Sequence, residues 1–250
     1  MRTSNKSELT KILIGDNFCT VLTNPQEKPE CRVIDGMALL RAIVKPKVCR
    51  YWNDWMIAVN SKIKEQFTQT CRRVDIVFDS YDRRSTKSSC RNNRAKNSTQ
   101  YGRIEPHMKF PNDMSGIFSS NDNKRLLQEF VIAGVIEAHD PRDGELIIAG
   151  GKCDTTSVKS TLRGCISSLR SSQEEADCRL LLHVLHSFKE GYDRIVVRAR
   201  DTDVLVILLQ HLKRFPADAQ LWLQYGTSKS PCYIPIQRIP IHLLREKLLG

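Results

Sequence analysis

The sequence predicts an α/β fold in which helices flank a mostly parallel central sheet. Short apolar runs have the length and composition of buried strands, and each is followed by a segment with helical periodicity. Acidic residues also close several of these runs, at the positions where an open α/β sheet binds its ligands. Strands that alternate with helices favour a parallel sheet covered on both faces.

The first half of the chain begins this alternation. Cys31–Asp35 predicts a strand that leads into a helix over 36–44, where Met37, Leu40 and Val44 share one face. Trp52, Trp55, Val59 and Ile63 have the 3-4-4 spacing of a second amphipathic helix. A second strand is predicted over 74–79, and a long polar stretch, about 80–123, follows it as an insertion.

The second half continues the pattern and ends differently. A helix is predicted from Leu126 onward, then a strand over Glu145–Ala149, a helix over 174–188 and a strand over Arg194–Arg198. An apolar helix is expected over 204–212. The runs 221–225 and 232–236 predict a C-terminal β-hairpin, and Pro235 restricts its second strand to a sheet edge. We interpret residues 1–250 as a single domain.

The charge balance points to a polyanionic partner. The chain has 39 Lys and Arg against 28 Asp and Glu, which gives a net charge of +11. Phosphate neutralisation with counterion release supplies much of nucleic-acid affinity, so this balance favours DNA or RNA, although a merely cationic surface has the same composition. Residues 72–109 hold ten Lys and Arg against four Asp and Glu, over half of the net charge.

The nine cysteines include no CxxC pair, which argues against a zinc knuckle and against a disulfide framework. We expect reduced, structural thiols and an intracellular location, nuclear or cytoplasmic. The polar N-terminus does not resemble a signal peptide, and no apolar run is long enough to span a membrane, so no membrane partner is expected. The oligomeric state stays open.

The informative feature is the recurrence of carboxylates at predicted strand ends. Asp35 and Asp79 close two strands, and Asp201 and Asp203 follow a third. A further acidic group opens the helix before that third strand: Glu174, Glu175 and Asp177. Taken singly, each has an ordinary explanation as a helix cap or as a partner of the helix dipole. Carboxylates gathered at one edge repel one another, and a hard cation such as Mg²⁺ is the usual reason for such a cluster.

The order of these motifs resembles the flap-endonuclease branch of the PIN-like nucleases. The motifs are IDG, then VFD with a basic stretch, then EEAD, then DTD, and the resemblance runs from about residue 31 to residue 209. The segment around 173–209 also resembles uncharacterised PIN-like proteins of animal genomes, including copies carried by mobile elements. The resemblance implies a PIN-like, Rossmann-like fold and a basic arch formed by the insertion.

The resemblance also implies a catalytic centre that holds one or two Mg²⁺ or Mn²⁺ ions. Asp79, Glu175 and Asp177 would mainly bind one ion with Asp35 nearby, and Asp201 and Asp203 would bridge the ions or hold the other one. Glu174 is a substitute ligand, because Gln173 stands where the family has a Glu. Two ions of this kind can activate water and neutralise the phosphate during phosphodiester hydrolysis. The nucleic-acid-binding residues expected in the arch are Arg83, Arg84, Lys87, Arg91, Arg94 and Lys96.

The sequence departs from the family at its last catalytic Asp, expected in a G-C-D context, which has no match here. This departure suggests a truncated copy, and it keeps open a catalytically impaired module that still binds nucleic acid. A third reading treats Asp201–Thr202–Asp203 as the D-x-D of a nucleotide-sugar transferase, although such enzymes usually work in the secretory lumen. A serine hydrolase and a P-loop NTPase are disfavoured, because neither G-x-S-x-G nor a phosphate-binding loop occurs. DNA or RNA and endo or exo cleavage are left undecided.

Overall fold

The protein forms an α/β structure around one mixed sheet of eight strands. The structure is a computed structural model, and it describes residue 22 and residues 25–43, 45–80, 101–150, 158–173, 175–227 and 230–239. The predicted fold class, a mostly parallel sheet flanked by helices, is confirmed.

The strands of the sheet are listed here in chain order: β1 Cys31–Asp35, β2 Arg73–Val77, β3 Glu145–Ala149, β4 Val158–Ser160, β5 Gly164–Cys165, β6 Arg194–Arg198, β7 Gln220–Thr227 and β8 Ser230–Pro235. The spatial order is β5-β4-β3-β2-β1-β6-β7-β8. The five central strands, β3-β2-β1-β6-β7 in spatial order, are parallel, and antiparallel strands extend both edges of the sheet. The connections reverse direction between β1 and β6, which is the place where doubly wound sheets open a ligand crevice.

The described helices are α1 Gly36–Arg41, α2 Trp52–Lys64, α3 Ser115–Ser119, α4 Asn121–Ala138, α5 Ala176–Lys189 and α6 Thr202–Gln210. Short 3-10 turns lie at Pro25–Glu27, Ser167–Leu169, Leu212–Arg214 and Ile236–Arg238. None of the described helices combines the length and the apolar composition needed to cross a membrane.

Two apolar layers cover the sheet. On one face, residues of α5 and α6 form a core with Val33, Val77 and Val197. On the other face, residues of α1, α2 and α4 pack with Ile34, Ile76 and other strand residues. Strand side chains alternate between the two faces of a sheet, so β1, β2 and β3 each contribute residues to both cores. This explains why these strands are almost continuously apolar.

The C-terminal part of the predicted insertion packs into the core of the fold. Phe110 and Ile117 are buried in the layer that contains α2 and α4, and the ring of Phe110 lies 4.9 Å from that of Trp52. Helix α4 already begins at Asn121, where Ser120 caps it. Residues 110–123 therefore take part in the packed fold, and residues 81–100 of the insertion lie outside the described part.

The predicted C-terminal hairpin is confirmed as β7 and β8, and Pro235 lies on the outermost strand of that edge, as expected. Opposite it, β4 and β5 form a second edge hairpin that the sequence did not reveal. Among the cysteines that the structure describes, Cys232 differs from the expectation of reduced thiols because it is disulfide-bonded. Cys31, Cys49, Cys71 and Cys178 are free thiols.

Candidate metal centre

Three adjacent parallel strands end in acidic residues at one edge of the sheet. Asp35 is the last residue of β1, Asp79 follows β2 by two residues, and Asp201 follows β6 by three. Since β1 lies between β2 and β6, the three chain segments emerge side by side. The strand order thus gathers carboxylates that are far apart in the sequence.

Asp35 links the first strand to the first helix. Its side chain caps α1, and its Oδ1 accepts a hydrogen bond of 3.0 Å from the backbone N–H of Ala38. Burial raises the pKa of Asp35 to about 6, and the neighbouring Asp79 adds to the rise, while the Ala38 hydrogen bond opposes it. Asp35 therefore has both a structural role as a cap and an electrostatic contact with a second carboxylate.

Asp79 attaches the end of β2 to the start of α5. Its Oδ1 accepts a hydrogen bond of 2.9 Å from the backbone N–H of Ala176, the first residue of that helix. A carboxylate at a helix N-terminus is favoured by the exposed N–H groups and by the helix dipole. This contact fixes the N-terminus of α5 at the acidic edge, and Asp177 is the next residue.

Asp177, Asp201 and Asp203 form a group that could hold a metal ion. Each offers one carboxylate oxygen, and these oxygens all lie within 4.8 Å of one another. Asp201 caps α6, and its Oδ1 accepts a hydrogen bond of 3.3 Å from the backbone N–H of Asp203. Asp201 and Asp203 are exposed and Asp177 is half-buried, so the group faces solvent from one side.

The electrostatics of Asp177 tie all five aspartates together. Burial raises its pKa to about 7, and four other carboxylates contribute to the rise: Asp201, Asp35, Asp79 and Asp203. A carboxyl group with a pKa near neutrality marks a site where negative charge is concentrated beyond what its surroundings neutralise. A bound cation would reverse this effect.

The residues of this edge fit a hard divalent cation. Their donor atoms are carboxylate oxygens, which Mg²⁺ and Mn²⁺ prefer, and no thiol or imidazole belongs to the group of three. One partly open side leaves room for water or for a phosphate oxygen beside the ion. Asp177, Asp201 and Asp203 would be the ligands, with Asp35 and Asp79 close enough to add negative charge.

Of the two predicted glutamate ligands, the structure describes only Glu175, which does not join this group. Glu175 is exposed and occupies the N-cap position of α5, without a side-chain capping bond. It does not belong to the group of three carboxylates found among the described residues. Glu174 lies outside the described residues, as do all the predicted arch residues: Arg83, Arg84, Lys87, Arg91, Arg94 and Lys96.

Arg179 is a charged residue beneath the site that sequence reasoning missed. It is fully buried on α5, and its Nη1 donates a hydrogen bond of 2.8 Å to the backbone carbonyl of Phe78. Burial lowers the pKa of Arg179, while the nearby Asp79 raises it. The only signal for this residue in the sequence is its place on the buried stripe of α5, four positions before His183.

A buried polar network lies further along the same face. Nε and Nη2 of Arg73 each donate a hydrogen bond of 2.8 Å to Asp75, and the Nδ1–H of His183 donates one of 2.7 Å to Asp75 Oδ2. All three residues are 0 % exposed. His183 therefore binds Asp75, and His186 lies within hydrogen-bond distance of Arg73.

The protonation of His186 follows from its partner. Arg73 has only donors, so the Nδ1 of His186, 3.1 Å from Arg73 Nη1, must accept the hydrogen bond. Burial, followed by the charge of Arg73, lowers the pKa of His186. The neutral imidazole thus accepts a hydrogen bond from the buried guanidinium of Arg73.

Phe78 packs between two glycines next to the acidic edge. A Cβ at Gly36 would lie 2.4 Å from the Phe78 ring, and one at Gly150 would lie 2.8 Å from Phe78 Cβ. Gly150 also has a φ of +117°, which side chains rarely adopt. These two glycines allow the segments after β1, β2 and β3 to approach closely, and this brings Asp35 and Asp79 near each other.

Compared with models of known protein families, with curated proteins and with solved structures, the chain matches none of them.

Proposed function

We propose that this protein is a divalent-metal-dependent nuclease that hydrolyses phosphodiester bonds of DNA or RNA. The observation that carries the proposal is the group of Asp177, Asp201 and Asp203, with carboxylate oxygens within 4.8 Å of one another. Two further carboxylates, Asp35 and Asp79, raise the pKa of Asp177 and so belong to the same electrostatic site. The basic composition supports a polyanionic substrate.

The chemistry needs a water that attacks phosphorus, a neutralised phosphate and a leaving oxygen that gains a proton. When bound, divalent ions supply charge neutralisation of the phosphate and lower the pKa of water. The three aspartates would orient such ions. The backbone hydrogen bonds to Asp35, Asp79 and Asp201 hold these carboxylates in place at the strand ends.

The resemblance to the PIN-like and flap-endonuclease nucleases supports this assignment independently of the geometry. The family's early Asp corresponds to Asp35, its V-F-D residue to Asp79 and its D-x-D to Asp201 and Asp203. In this chain those residues lie at neighbouring strand ends. The order of motifs and their placement in space therefore favour the same function.

The test is cleavage of labelled single-stranded, flapped and duplex DNA and RNA with Mg²⁺ or Mn²⁺. We expect metal-dependent cleavage by the wild type, and a rate reduced by at least about 100-fold in Asp201→Ala, because an essential ligand is lost. Asp218→Ala is the matched control, since Asp218 is exposed and precedes the start of β7, at the edge of the parallel sheet opposite the strand ends.

Two results would count against nuclease activity. Cleavage that persists in EDTA or in Asp201→Ala would come from another site or a contaminant. Salt-sensitive binding without cleavage on any substrate would favour the second function left open by the sequence, a catalytically impaired module that binds nucleic acid.

A further inference from the structure

A cavity with three arginines opens at the same edge of the sheet as the aspartates. It has a volume of about 190 Å³, well above the roughly 10–15 Å³ that one water requires. Its walls come from the end of α1, the end of β6 and the end of β7: Ala38, Arg41, Ala42, Arg198, Ala199, Arg200, Gln224 and Gly226. No acidic residue lines it within the described part of the chain.

The residues that line the cavity are neighbours of the aspartates of the candidate metal centre. Arg200 precedes Asp201 in the sequence, and Ala38 donates its backbone N–H to Asp35. Arg41 lies close enough to Asp35 to lower its pKa. The place where the strand order reverses, between β1 and β6, therefore has carboxylates on one side and guanidinium groups on the other.

Two arginines of the cavity, Arg198 and Arg200, lie close enough for their positive charges to repel each other. Arg198, at the end of β6, is paired across the sheet with Gln224 and lies beside Ile34 of β1. Burial lowers the pKa of Arg198, and the positive charges of Arg32 and Arg200 lower it further, while Tyr233 opposes the change. A bound anion would relieve this repulsion, just as a cation would relieve the repulsion between the aspartates.

The polar groups of the cavity suit a phosphate. A guanidinium presents donors in a planar fork that matches phosphate oxygens, and it stays charged at any physiological pH. The Gln224 side chain adds an amide whose Oε1 is buried without a hydrogen-bond partner among the described residues.

We propose that this arginine-lined cavity binds a phosphate group of the nucleic-acid substrate, next to the one at the aspartates. The inference rests on the proposed function, because it places one nucleic-acid strand across both the metal centre and the cavity. Arg41 and Arg200 contact the phosphate from the rim and Arg198 from the floor. The phosphate is either a terminal group of the strand or an internal one, and the same guanidinium donors serve both.

The test is binding of a short single-stranded oligonucleotide in EDTA, where cleavage and metal bridging are absent. Fluorescence anisotropy compares the wild type with Arg41→Gln and Arg200→Gln over a range of salt concentrations. We expect each variant to weaken binding by about tenfold. Each should also reduce the slope of log K against log salt by about one contact, that is, by about 0.7 for a single strand.

Arg214→Gln is the control, because Arg214 is an exposed arginine that does not line the cavity and the change removes the same charge. Melting temperatures of all variants confirm that they fold. A preference for a 5′- or 3′-phosphorylated oligonucleotide over a hydroxyl-ended one identifies a terminal phosphate, and equal binding of all three identifies an internal phosphate.

The inference is overturned if Arg41→Gln and Arg200→Gln weaken binding no more than Arg214→Gln, or if the wild type does not bind. Its failure is distinguishable from that of the proposed function. Cleavage that requires Asp201 but is unaffected in the arginine variants would contradict the phosphate site in the cavity and support the nuclease activity. Binding that requires the cavity arginines, without cleavage of any substrate, would support the phosphate site and contradict the nuclease activity.

Discussion

Asp75 and Asp79 lie four residues apart on the same strand and its extension, and their surroundings are opposite. Asp75 is fully buried and accepts hydrogen bonds from Arg73 and His183, which lower its pKa although burial alone would raise it. Asp79 lies in a group of carboxylates, and it raises the pKa of both Asp35 and Asp177. One aspartate is neutralised within the fold, and the other adds to an excess of negative charge.

This difference separates a structural carboxylate from a functional one. The Arg73–Asp75–His183 network contains its own counter-charge, so it needs nothing from outside the protein. At the strand ends, backbone N–H groups donate hydrogen bonds to Asp35, Asp79 and Asp201. The raised pKa values of Asp35 and Asp177 show that the negative charge gathered there is not fully neutralised. Sites that bind ligands often retain such an electrostatic cost in the free protein.

The largest effect is expected at Asp75. In Asp75→Asn the buried Arg73 loses its anionic partner, and breaking a buried ion pair in this way costs about 3–5 kcal/mol of folding free energy. Urea denaturation of this variant should show that loss, while Asp218→Asn, at an exposed position, should change stability by less than about 0.5 kcal/mol. A small loss in Asp75→Asn would mean that the network is not structural.

A change of opposite sign is expected at Asp177. Asp177→Asn removes one of the mutually repelling charges, so the metal-free protein should become more stable, with a melting temperature higher by roughly 2–4 °C for about 1 kcal/mol. The same variant should lose the stabilisation that Mn²⁺ gives the wild type, because a ligand is missing. Thermal melts in EDTA and in Mn²⁺ measure both effects. A destabilised variant in EDTA would contradict the repulsion.

The pH dependence of that difference sharpens the comparison. The pKa of Asp177 is raised from 3.8 to about 7, so the unfolded chain loses this proton first as the pH rises. The folded protein therefore loses stability from this group between about pH 4 and pH 7, and nothing further changes above that range. The gain in stability that Asp177→Asn gives the protein in EDTA should be full at about pH 8 and should vanish near pH 4. A gain that is independent of pH would have another cause.

A loss of stability smaller than that of Asp75→Asn is expected at His186. Its Nδ1 accepts one hydrogen bond from Arg73, so His186→Leu should cost about 1–3 kcal/mol through the unpaired guanidinium N–H. The pKa of His186 is lowered in the folded protein, so the unfolded chain takes up this proton first as the pH falls. In urea denaturation the loss should therefore be full near pH 8 and should become smaller below about pH 6.5. A loss that grows toward low pH would contradict the neutral imidazole.

The sequence was sufficient for the elements with simple patterns. β1, β3 and β6 have the predicted bounds, because short apolar runs bounded by polar residues have few other conformations. The edge hairpin of β4 and β5 escaped prediction, since Val158–Ser160 and Gly164–Cys165 are too short to show a period. Helix α5 begins at Ala176 rather than at residue 174, because Asp79 accepts the N–H of Ala176 from a distant part of the chain.

The same limit applies to the site. Asp35, Asp79, Asp177, Asp201 and Asp203 could be proposed because strand ends and motif order are visible in a sequence. The roles of Arg179 and of the cavity arginines depend on which strands lie next to each other, and a single sequence does not contain that information. Asp75 and Asp79 look alike in the sequence, and only their partners in space distinguish them.

The most direct test of the metal centre is calorimetric titration of Mn²⁺ into the EDTA-free protein at pH 8. The wild type and Asp218→Asn should bind the ion with the same affinity, and Asp203→Asn should bind it at least about tenfold more weakly, because one of the three converging carboxylates is lost. Absence of saturable binding by the wild type, or equal binding by Asp203→Asn, would contradict the account.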